Sequence, residues 1–84
     1  MPDEQENYYQ ILEVSSNASL SVIRAAYRAL MQRHHPDKNI SAPGFVETNQ
    51  RVLLIRTAFD VLSNADKRKE YDLSLLSRQS RVEQ

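Results

Sequence analysis

IRAAYRALMQRHHPDKN, residues 23–39, starts as a helix and ends on a polar, stiff corner. Ile23, Tyr27, Leu30 and His34 recur at three- and four-residue steps, with Leu20 one turn earlier and Ala26 and Met31 flanking. That spacing puts them on one face of a helix predicted over Leu20–His34. Ser19 is placed to cap its first turn, because a serine hydroxyl can accept from a free first-turn amide. Arg24 and Arg28 are one turn apart on an adjoining face. Pro36 stops the helix: it has no N–H and steers His35 away from the helical region.

Working outward, NYYQILEV (residues 7–14) holds Tyr8, Ile11 and Leu12 at helical spacing, and SSNAS (15–19) punctuates. DKNISAPG (37–44) reads as a polar loop. From about Phe45 a second long helix is predicted to Leu62, its stripe made of Val52, Ile55, Phe59 and Leu62, with Ala58 keeping the seam narrow. Two long amphipathic helices joined by a short polar loop are expected to pack as an antiparallel hairpin. SNAD (63–66) offers a stop and a fresh cap, and KRKEYDLSLL (67–76) reads as a last helix, with Tyr71 expected to pack against the hairpin. No segment reads as a strand, so an all-α domain is expected.

Composition narrows the function. The chain of 84 residues contains no cysteine, which removes disulfides and thiolate metal sites from consideration. Its single glycine, Gly44, is too few for a phosphate-cradling loop. Eleven acidic and eleven basic residues cancel overall, yet unevenly. Asp3, Glu4, Glu6 and Glu13 precede any base, whereas Arg24, Arg28, Arg33 and Lys38 follow with only Asp37 opposing them. A basic face seeking an acidic partner follows from that polarity. A nucleic-acid reader is disfavoured by the zero net charge and by the lack of base-reading side chains beside the arginines. His34, His35 and Asp37 lack metal-ligand spacing, and no nucleophile accompanies His35 and Asp37, so neither a metal nor a catalytic site is expected. No apolar run approaches membrane-spanning length and no charged-then-apolar leader precedes the fold, so a soluble, cytoplasmic chain is expected.

YYQILEV, IRAAYRALMQRHHPDKN and IRTAFDVLSNADKRKEYD, in that order, resemble the J-domain, the DnaJ-type co-chaperone module. The likeness runs from Tyr8 to Asp72 and centres on His35-Pro36-Asp37, which matches the family's signature. It implies four helices, with the second and third forming the hairpin. It also implies a monomeric, non-enzymatic domain, without cofactor or metal, that binds a DnaK-type (seventy-kilodalton heat-shock) chaperone and stimulates its ATP hydrolysis in support of protein folding. The partner-binding residues carried over are His35, Pro36, Asp37, Lys38 and Asn39 at the signature. Arg24, Arg28 and Arg33 match basic positions of the second helix, and Lys67 and Arg68 the basic pair opening the fourth. Client proteins would be held by regions outside this chain, and no nucleic acid or membrane is expected to bind this segment. By this reading, 1–7 is a flexible acidic N-terminus, 8–72 the J-domain, and 73–84 the end of the last helix with a tail.

The sequence departs from the family pattern at several places. Ala29 and Ser21 stand where bases are common, His34 replaces a tyrosine, and Val52 replaces a phenylalanine. The loop after the signature is about three residues longer than the family's usual one. The thinner basic face leaves an alternative of another class: a J-like adaptor that scaffolds a complex without stimulating hydrolysis.

Overall fold

A computed structural model describes residues 7–34 and 43–82, with side chains described through residue 77. Among the described residues the secondary structure is four helices: α1 (Tyr8–Ile11), α2 (Leu20–Arg33), α3 (Phe45–Leu62) and α4 (Ala65–Val82). None of them is long and apolar enough to cross a membrane.

Short polar side chains set the helix starts. At α1, the Asn7 side chain accepts from the Gln10 amide at 2.8 Å while the Gln10 side chain accepts from the Asn7 amide at 2.9 Å. This reciprocal capping box satisfies two amides that a four-residue helix cannot pair internally. Ser19 caps α2 as its sequence predicts, accepting from the Val22 amide at 3.4 Å. Asn64 opens α4 by accepting from the Asp66 and Lys67 amides, both at 3.0 Å. Gly44 precedes α3 at φ +80°, a left-handed conformation that glycine adopts without a Cβ penalty.

The core is a layer shared by three helices. Tyr9, Ile11 and Leu12 from the α1 turn meet Ile23 and Leu30 of α2 and Ile55, Ala58 and Leu62 of α3. Leu12, Ile23, Ile55 and Leu62 are almost wholly buried, each contributing about 1.5–3 kcal/mol relative to exposure. The start of α2 meets the end of α3, since Leu20 lines a groove with Leu62 and Ser63. Further along, Tyr27 stacks on Phe59 with centroids 4.1 Å apart and planes at 13°. The progression in opposite directions is the expected antiparallel hairpin.

One residue departs from the sequence reading. Leu20 shares the α2 core stripe by spacing but is 38% exposed, because the first turn of α2 borders an open groove against α4. Tyr71 packs on the core that α1 shares with the hairpin; its ring stacks on Tyr8 at 4.5 Å and its hydroxyl accepts from the Tyr8 amide at 2.8 Å. α4 also packs directly on α3.

None of the described side chains of α4 is fully buried; Tyr71 and Leu75 lie half-buried against the core. Polar contacts therefore matter more here than elsewhere. Tyr9 donates its hydroxyl to Asp72 at 2.6 Å, and Arg68 Nε donates to the Tyr9 oxygen at 3.0 Å. Arg68 Nη2 also donates to the carbonyls of Ser16 at 3.1 Å and Ala18 at 2.8 Å. One guanidinium thus ties α4 to both α1 and the turn before α2.

Candidate functional site

The signature residues His35, Pro36 and Asp37, with Lys38 and Asn39, lie outside the described residues. What the structure shows is the platform leading into them. His34 closes α2, donating its amide to the Leu30 carbonyl at 2.8 Å, and Arg33 sits in the last turn, where the helix dipole favours a cation.

The five described candidates divide into four environments. Arg24 and Arg28 are exposed on α2 and line one open groove with Tyr27, Met31 and Gln32 of α2 and Arg56 and Phe59 of α3. The groove has a volume of about 590 Å³ and contains the stacked Tyr27–Phe59 pair. No acidic residue occurs anywhere in α2. Among the described residues, Arg24, Arg28 and Arg56 have no ion-pair partner. Three unpaired guanidiniums around a partly apolar floor raise the local potential and favour an anionic surface.

Arg33 is elsewhere. Nine residues after Arg24, it lies about 180° around the helix at 3.6 residues per turn. Its guanidinium is 3.4 Å from the Glu13 carboxylate, and both side chains are more than half exposed. Glu13 has φ +60°, a conformation costly for any residue with a Cβ. So the third cation that the sequence reading grouped with Arg24 and Arg28 belongs to the α1 side of the helix. Arg56 takes its place in the groove. The sequence reading did not single out Arg56; its signal was its position three residues before Phe59 on the hairpin-facing side of α3.

Lys67 and Arg68 are adjacent in sequence but differently employed. Lys67 is half-exposed and pairs with Asp60 of α3 at 2.9 Å. Arg68 spends its donors on Tyr9, Ser16 and Ala18 and lies over the Tyr9 ring at 5.4 Å from its centroid. Arg68 therefore holds the fold together, and its guanidinium is engaged before any partner arrives. The Tyr9 hydroxyl has its pKa raised, first by burial and then by its hydrogen bond to Asp72, with Arg68 opposing the shift.

Comparison with known proteins agrees with this architecture. The family profile described as DnaJ domain matches residues 7–72. Chaperone protein DnaJ of Anaplasma marginale is 46% identical over 66 residues, covering 79% of this chain and 17% of the relative. Chaperone protein DnaJ of Bacteroides thetaiotaomicron is 44% identical over 69 residues, covering 82% of this chain and 17% of the relative. DnaJ-related protein SCJ1 of Saccharomyces cerevisiae is 42% identical over 67 residues, covering 80% of this chain and 17% of the relative. The chain thus spans about one-sixth of the length of these relatives. On the profile match and these identities together, the chain belongs to the DnaJ-domain family.

Proposed function

We propose that this domain docks on a DnaK-type chaperone through the Arg24–Arg28 face of α2 and stimulates that partner's ATP hydrolysis through His35-Pro36-Asp37. The observation that carries the reading is the juxtaposition of unpaired arginines on an acid-free helix with the signature two residues beyond that helix's end. The J-domain supplies no covalent chemistry. Its contribution is positioning: Pro36 fixes φ, so the corner loses little entropy on binding, and Asp37 offers a carboxylate to a cationic or amide donor of the partner. Lys38 and Asn39 extend the polar corner, whereas Lys67, although exposed, is already matched by Asp60 at 2.9 Å.

Single-turnover ATP hydrolysis by a DnaK-type chaperone, with and without the domain, tests the proposal. Acceleration that saturates with domain concentration supports it. Ala29 and Ser21 are both exposed on α2 and carry no charge, which gives the adaptor reading its footing. Saturable binding with an unchanged hydrolysis rate would favour the adaptor.

A further inference from the structure

The docking face of this domain spans two helices. We propose that Arg56 of α3 is a specificity-determining residue of that face, acting with Arg24 and Arg28 on an acidic protein surface, and that Arg33 is excluded from it. The inference rests on the docking reading above and assigns which cations serve it.

Geometry separates the arginines. Arg56 lines the same groove as Arg24 and Arg28, across the stacked Tyr27–Phe59 pair, and is exposed. Arg33 is turned about 180° from Arg24 and is already matched by Glu13 at 3.4 Å. An approaching carboxylate meets undiminished charge at Arg56, whereas at Arg33 it meets a pair whose net charge is zero. Position adds selectivity. Arg24 and Arg28 lie along one helix and favour any acidic row parallel to it, while Arg56, on the neighbouring helix, adds a second direction. A partner must therefore present acidic groups in two dimensions to engage all three. The Tyr27–Phe59 stack holds the hairpin at this point and fixes the relation between the two helices, so the three positions are preorganised and little ordering cost is incurred on docking. Exposed Ala29, without a charge to offer, leaves Arg56 as the natural third contact.

The test compares association rates of a DnaK-type chaperone with wild type and with Arg24→Glu, Arg33→Glu and Arg56→Glu at low ionic strength. Helicity of each variant is checked by circular dichroism, and Arg56→Lys serves as the conservative control. Charge reversal at Arg24 and at Arg56 is expected to slow association roughly tenfold each. Arg33→Glu is expected to stay within about twofold of wild type, and Arg56→Lys to recover most of the rate. An Arg24→Glu defect without an Arg56→Glu defect, or a larger loss at Arg33 than at Arg56, would overturn this inference and leave the docking proposal standing. Wild-type rates in all three charge-reversal variants would overturn both.

Discussion

Tyr9 donates its hydroxyl to the Asp72 carboxylate across 2.6 Å, joining the first helix to the last over 63 residues of sequence. A hydrogen bond to a charged group contributes about 1.5–3 kcal/mol, and α4 has little buried apolar surface to replace it. Tyr9→Phe is expected to lower stability by roughly 1–3 kcal/mol in urea denaturation near neutral pH, and the difference from wild type should shrink at alkaline pH. The sign follows from the raised Tyr9 pKa. The folded state keeps the phenolic proton more tightly than the unfolded chain, whose tyrosine titrates near pH ~10. Stability from this group is intact below that pH and declines as pH rises through the window up to the folded value. Comparing about pH 8 with about pH 10.5, Tyr9→Phe should lose less stability than wild type. Equal losses would show that Tyr9 does not couple to folding.

Neighbouring cations should behave in opposite ways. Arg68→Ala removes the donors to Tyr9, Ser16 and Ala18 and is expected to cost roughly 2–4 kcal/mol, since partly buried acceptors are left unpaired. Lys67→Ala loses only an exposed pair with Asp60, so its effect should stay below about 1 kcal/mol. Thermal melts of the two variants check the contrast. Similar melting temperatures would contradict the structural role of Arg68.

Glu13 at φ +60° gives a backbone test. A β-branched residue tolerates the left-handed region poorly, so Glu13→Val is expected to destabilise by about 1–3 kcal/mol. Glu13→Gly relieves the conformation and forfeits only the exposed Arg33 contact, so it should remain within about 1 kcal/mol of wild type. Denaturation midpoints falling equally for both would place the cost in the lost ion pair instead.

Ionic strength should tune docking. Charge reversal at Arg24 and Arg28 together is expected to weaken binding to a DnaK-type chaperone mainly through the association rate, and wild-type binding should fade as salt rises. Ala29→Arg, adding a base to the exposed side of α2, should tighten binding slightly. Affinity that is constant from low to high salt would speak against electrostatic docking.

The helices were legible because their signals are local. Ser19 and Asn64 announce helix starts, and Ile23, Tyr27, Leu30 and Ile55, Phe59, Leu62 mark two faces that must meet. What the sequence concealed depends on rotation and register between helices. Arg33 and Arg24 read as one basic set along the chain, yet nine residues put them on opposite sides of α2. Arg56 joins the groove only once Tyr27 is known to stack on Phe59, a register that spacing within either helix does not supply. Arg68 matches a family base and invites a partner-binding role; its three bonds into the α1 region depend on where a short helix is wedged. Val46, Leu53 and Leu54 form a second, exposed apolar side of α3, which the stripe-based reading passed over because the core stripe alone accounted for the helix. His35, Pro36 and Asp37 were legible as a motif, and their role rests on sequence and family.

The most direct measurement is the single-turnover rate of ATP hydrolysis by a DnaK-type chaperone saturated with wild-type or Asp37→Asn domain, the latter verified as folded by circular dichroism. Asp37 belongs to neither apolar stripe of the sequence, so the substitution should alter stability by less than about 0.5 kcal/mol. Wild type is expected to accelerate hydrolysis, and Asp37→Asn to leave the rate at the chaperone's basal value. Equal acceleration by both proteins would contradict a triggering role for the signature.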